Sequence, residues 1–203
     1  MAAVPERYRT VAGRGQAAFE VRGSEFLGRV APAETVADAE TFLEAVREEY
    51  ADATHNVPAY RVRAAPLREY ASDAGEPTGS AGKPALNVLQ GEGLENVAAV
   101  VTRYFGGTEL GVGGLARAYG RAVKEAVTDA GTTERRPHER FVVTVDYDDS
   151  GSVRGLLEGA DADFEAAYEA RVRFDVRAPV ESAATLRDRL RSATSGRAEV
   201  NGG

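Results

Sequence analysis

The run NVAAVVTRYFGGTELGVGGLARAYGRAVKEA, residues 96–126, contains a strand, a loop and a helix in order. Residues 96–105 are almost continuously apolar, which suits a strand buried on both faces better than a surface strand. The glycine loop 106–114 follows. From 115 to 130, Leu115, Tyr119, Ala122, Val123, Ala126 and Val127 fall on one side at 100° per residue, so the spacing predicts a long helix that Gly131 ends. Arg117, Arg121 and Lys124 line up on its opposite side.

Upstream, two strand-like runs cover 9–21, with a glycine-rich middle, and 25–30. Val36, Ala39, Leu43, Val46 and Tyr50 recur at helical steps, and Thr35 with Asp38 supplies a capping box. Residues 55–63 read as a strand whose Pro58 puts it at an edge or makes it start late. An irregular stretch, 64–82, leads to a short helix at 83–90, where Pro84 is tolerated in the first turn. Downstream of Arg135, Arg136 and Pro137 the pattern restarts. Strands at 141–147, 163–168, 171–176 and 198–200 alternate with helices at 152–158 and 185–191. That order is the split βαβ pattern of a ferredoxin-like domain. The expectation is α+β in two domains, 1–136 and 137–203.

Composition narrows the function. The chain has 203 residues, no Cys and two His, so disulfides, thiolate metal sites and cysteine nucleophiles are excluded. No cofactor and no metal is assigned. Its net charge of −7, with 32 acidic and 25 basic residues, fits a halophilic or GC-rich source, because excess carboxylate keeps a protein hydrated at high salt. Only Lys83 and Lys124 are lysines. An acidic total speaks against broad nucleic-acid affinity but leaves room for a local basic patch. No apolar run spans a bilayer, and the start MAAVPERYRT lacks a leader's apolar core; the reading is cytoplasmic.

Two loops, 75–84 and 106–114, are expected to fold together into one cationic pocket shared by Lys83 and Arg103. GEPTGSAGKP, residues 75–84, looks like a phosphate loop but fails as a Walker A motif. Its first required glycine falls on Pro77, and Pro84 stands where Ser or Thr should follow Lys83. The loop 106–114 lacks the dinucleotide spacing. Its glycines Gly106, Gly107 and Gly111 either bring amides to an anion at a helix start or simply allow a tight turn. Arg103 could add charge there. Between Arg103 and Lys124 the only acid is Glu109, so the segment is locally +3; its stripe could grip RNA phosphates or be a solvated face. Asp73 and Glu76 could hold magnesium or cap the loop's own amides. Ser80 has only His55 as a distant base, and His55 reads as structural. Arg171, Arg173 and Arg177 read as an outward face.

Taken together, Asp73, Gly75, Glu76 and Pro77, then Arg103, Tyr104, Phe105, Gly106 and Gly107, then Leu110 and Gly111 closely resemble the YigZ/IMPACT family over most of residues 15–130. The strand start around His55 is similar too. The chain departs from the pattern at Ala74, where many members carry a second Asp. The resemblance implies a first domain like the second domain of ribosomal protein S5 and a ferredoxin-like second domain. Eukaryotic members regulate translation under stress through an initiation-factor kinase's activator, a pathway not carried over here. For prokaryotic members, RNA or ribosome binding is the implied role. The expected site is Asp73, Glu76, Ser80, Lys83, Arg103, Gly106, Gly107, Gly111, Arg117, Arg121, Lys124 and His55. Its partner would be RNA, the ribosome or a translation-associated protein. The alternative is an enzyme acting on a phosphorylated or nucleotide ligand at loop 106–114.

Overall fold

The computed structural model describes residues 7–64 and 66–202. The N-terminal stretch read above for a leader falls largely on residues 1–6, which lie outside the described residues. Tyr8–Arg135 form one compact unit, and the residues from Arg136 onward form another. The α+β class and the expected two-domain architecture are both found.

In the first unit, strands β1 (Tyr8–Val11), β2 (Gly15–Val21) and β3 (Ser24–Pro32) precede helix α1 (Val36–Glu49). Then come β4 (His55–Val62), β5 (Arg68–Ala71), α2 (Gly82–Gly91), β6 (Val97–Tyr104), α3 (Gly111–Ala130) and β7 (Thr132–Arg135). A five-stranded antiparallel sheet runs in the order β2-β3-β6-β4-β5. β6 lies at its centre, which explains the unbroken apolar run. Val97, Ala99 and Val101 pack toward α2 and α3, while Ala98 and Val100 pack toward α1. Helix α3 lies so close to the sheet that a Cβ on Gly28 would sit 2.3 Å from the Ala122 carbonyl oxygen, and one on Gly15 would sit 2.2 Å from that of Ala126. The Thr35–Asp38 capping box forms in both directions, at 3.0 and 2.9 Å.

Several local expectations change. The single strand expected over 9–21 is two: β1 leaves to pair with β7, and β2 joins the main sheet. Strand β4 is interior, not an edge. Pro58 is tolerated because β5 pairs only from Ala59 onward, so the missing N–H falls beyond the last ladder pair. Helix α3 starts at Gly111 rather than at residue 115.

The second unit runs β8 (His138–Val145), α4 (Tyr147–Glu158), β9 (Asp163–Tyr168), β10 (Val172–Pro179), α5 (Val180–Ala193) and β11 (Glu199–Asn201). The sheet order β11-β8-β10-β9 is the ferredoxin-like arrangement. Phe141, Val143, Val145, Phe174 and Val176 meet Val153, Leu157, Leu186 and Leu190 in its core. Both helices start five residues earlier than their apolar spacing predicts; in α4 the first turn, with Asp148, Asp149 and Ser150, is polar and carries no periodic signal. No helix among the described residues is long and apolar enough to cross a membrane.

Candidate functional site

Register brings the first site residues together. Phe26 of β3 and His55 of β4 both lie opposite Arg103 of β6, so the three side chains share one face of the sheet. Tyr119 of α3 meets the Phe26 ring edge-on at 5.4 Å. Into this gap the loop before α2 inserts Glu76. Its Oε1 accepts from Arg103 Nη1 and from Tyr119 Oη, each at 2.7 Å. Arg103 Nη2 donates to Ser24 Oγ at 3.2 Å, and Ser24 Oγ also accepts from the Gly106 amide at 3.1 Å. The guanidinium lies over the rings of Phe26 and Phe105, 5.5 and 5.3 Å from their centres.

This hub is buried: Arg103 is 4% exposed and Glu76 9%. Burial, and then the carboxylate acceptor, push the Tyr119 hydroxyl far above its ordinary range, so it remains a donor. His55 Nδ1 lies 2.8 Å from the Ala74 carbonyl, which requires the proton on that nitrogen and turns Nε2 toward Glu76 Oε2 at 3.8 Å. Arg103 Nε has no acceptor among the described residues. The charge that the sequence offers to loop 106–114 is therefore spent internally. Arg103 is neutralised by Glu76 and faces inward.

The loop 75–84 is also committed to itself. Asp73 Oδ2 accepts from the Gly79 amide at 2.7 Å, and Oδ1 accepts from Ala81 and Gly82 at 3.0 and 2.8 Å. These are the amides a phosphate would seek, and they are already occupied. Asp73 thereby caps α2, whose N-cap residue Ala81 has no side chain able to do so. Burial alone would raise the Asp73 carboxyl, but the three amides outweigh it and hold it below its usual range. Ser80 is buried with its hydroxyl on the Pro77 carbonyl at 2.7 Å, so it is not paired with His55. Lys83 is exposed in the first turn of α2 and takes no part in the hub.

The exposed charges gather elsewhere. Gly106 is pressed against the β2–β3 turn, where an added Cβ would lie 1.9 Å from the Gly23 carbonyl carbon. Gly107 and Gly111 have φ of +85° and +70°, so they serve the turn itself. Beside them is an open hollow of about 330 Å³ lined by Val21, Arg22, Leu110, Gly114, Arg117, Ala118 and Arg121. Three guanidinium groups border it, and no carboxylate is in its lining. Arg121 lies over the Phe19 ring at 4.0 Å and donates to Glu125 at 2.7 Å. Arg22 and Arg117 have no ion-pair partner among the described residues, and Lys124 is exposed farther along α3.

Arg22 is the member of this group that reading the sequence missed. The available signal was Arg22-Gly23 between two strand runs, a two-residue hairpin in which both φ are positive, at 48° and 81°. In the second unit Arg173 pairs with Asp175, Arg177 with Asp163, and Arg171 with both Asp146 and Glu199.

The Impact N-terminal domain model matches residues 22–127, and that of a domain of unknown function, DUF1949, matches residues 143–197. IMPACT family member YvyE of Bacillus subtilis is 32% identical over 199 residues, 97% of this chain and 91% of the relative. IMPACT family member YigZ of Escherichia coli is 36% identical over 177 residues, 83% and 86% of the two chains. A crystal structure titled only as a hypothetical protein aligns over 96% of both chains with a TM-score of 0.72 and 32% identity.

Proposed function

The chain belongs to the IMPACT family, and from that premise we propose a non-enzymatic binding protein of the translation machinery that grips RNA by its phosphates. The observation that carries this reading is the hollow bordered by Arg22, Arg117 and Arg121, without a carboxylate in its lining, on a protein of net charge −7. Guanidinium groups match phosphate in a bidentate way, and freed counterions make such binding salt-dependent. The excess acid lies outside the lining of this hollow and sharpens the contrast between it and its surroundings. Translation as the process comes from the family resemblance; the phosphate chemistry comes from the arginines.

The competing enzymatic reading, a phosphorylated ligand held by loop 106–114, is weakened because the Gly106 amide already donates to Ser24. The test is filter binding of tRNA and isolated ribosomal subunits at graded salt. The double variant Arg22→Ala/Arg117→Ala is expected to bind at least tenfold more weakly, with a salt slope shallower by roughly two. Affinity and slope equal to those of the unaltered protein would overturn the proposal.

A further inference from the structure

Resting on that phosphate-gripping reading, we infer that the RNA segment bound at this face is unpaired, and that Phe105 is the platform on which one of its bases stacks. The large exposed apolar side chains among the described residues are Tyr70, Phe105, Val112, Tyr147 and Tyr168. The tyrosines have partners: Tyr70 stacks on Tyr60 at 5.3 Å, Tyr147 donates to the Glu169 carbonyl, and Tyr168 accepts from Arg154. Phe105 has no polar handle and no ring partner among the described residues, yet it is 49% exposed. Arg103 lies over its ring, and Arg103 is itself pinned by Glu76 and Ser24. The ring is therefore backed by a fixed cation while about half of it stays open to solvent, so little ordering remains to be done on binding.

Position ties this ring to the hollow. Phe105 immediately precedes Gly106, and Arg22 immediately precedes Gly23; those two glycine backbones are in contact. Leu110 and Gly114, later in the same loop, line the hollow itself. A strand held by its phosphates on Arg22, Arg117 and Arg121 thus runs beside an aromatic surface. Paired bases in an A-form helix are stacked on each other and cannot reach such a ring, whereas the splayed bases of loops and ends can. Aromatic stacking tolerates any base, so the inference specifies strandedness and not sequence.

The experiment is fluorescence anisotropy with the full chain at one fixed salt concentration. It compares a labelled single-stranded 12-nucleotide RNA with the same strand in a duplex. The unaltered protein is expected to prefer the single strand, and Phe105→Ala to bind that strand about tenfold more weakly while its duplex affinity is unchanged. Phe105→Leu keeps apolar cover over Arg103 and guards against a folding artefact; it is expected to show the same loss with an unchanged urea midpoint, and Phe105→Trp to keep the preference. Equal affinity for both RNAs, or Phe105→Leu indistinguishable from the unaltered protein, overturns this inference alone. Binding of neither RNA, including the case where capture of a protein survives nuclease treatment, overturns the phosphate reading as well.

Discussion

Arg103 and Arg117 come from one 31-residue stretch, each near the glycine loop, and in the sequence they look interchangeable. In the fold they are opposites. Arg103 is 4% exposed with a carboxylate at 2.7 Å, whereas Arg117 is exposed and borders an open hollow with no ion-pair partner among the described residues. An arginine at the end of a central strand is enclosed by whatever covers the sheet and must bring its own counter-charge. One on the outer face of a helix has no such obligation. Charge near a glycine loop is therefore no guide to ligand binding until burial is known.

The largest test of that contrast removes one charge from each place. Breaking a buried pair strands the other ion, so Glu76→Ala or Arg103→Met is expected to destabilise the first unit by about 3–5 kcal/mol. Arg117→Ala should stay within about 0.5 kcal/mol. Urea unfolding, with hydrogen exchange followed over residues 8–135, separates the two. Glu76→Leu with Arg103→Met should cost less than the sum of the single changes, because no ion is left unpaired. If Arg103→Met were as silent as Arg117→Ala, the distinction between the two arginines would collapse.

Next in size is Tyr119→Phe. It leaves the fold's apolar contacts in place and removes one of the two hydrogen bonds to Glu76 Oε1. A loss of about 2 kcal/mol in the same urea titration is expected for a donor to a buried carboxylate.

Asp73→Ala is smaller, about 1 kcal/mol, the usual effect of losing a helix cap. It also carries a pH signature. The folded-state pKa of Asp73 is depressed, so its contribution is fully present above the ordinary carboxyl range, near about pH 4, and is lost as pH falls through the folded value. Thermal midpoints measured from neutral to acid pH should therefore fall less steeply in Asp73→Asn than in the unaltered protein. Parallel curves would mean that the three amides do not hold the carboxylate.

The same contrast shows what the sequence could reveal. Apolar periodicity gave the central strand, the long helix and the ferredoxin-like order, because burial on a sheet or helix face leaves a repeat. It missed β5 and β7, whose four residues each are exposed or half-buried and carry no apolar repeat. The convergence of loop 75–84 with Arg103 was expected from the sequence, and Glu76 realises it. Its character was not, since nothing local in the sequence says that Glu76 turns inward to Arg103 and Tyr119. Arg22 was hidden for another reason: it becomes a neighbour of Arg117 only through the contact of the β2–β3 turn with Gly106.

The smallest expected effect concerns Ala74, between the two acids whose roles differ. Its φ is +49°, a left-handed conformation that a side chain with a Cβ adopts at a penalty of about 1 kcal/mol or slightly more. The residue's amide donates to Ser72 Oγ and its carbonyl faces His55 Nδ1, so the backbone is held there from both sides. Ala74→Gly removes the steric penalty and keeps both contacts, while adding unfolded-state freedom of about 0.5 kcal/mol. The expected result is a net gain of about 0.5 kcal/mol, read as a small rise in urea midpoint without a change in slope. The Ala74 methyl also packs against the core. A loss as large as that of Tyr119→Phe would show that this packing, and not the turn's conformation, decides the position, and would make the loop's fit onto the sheet more exacting than the hub alone requires.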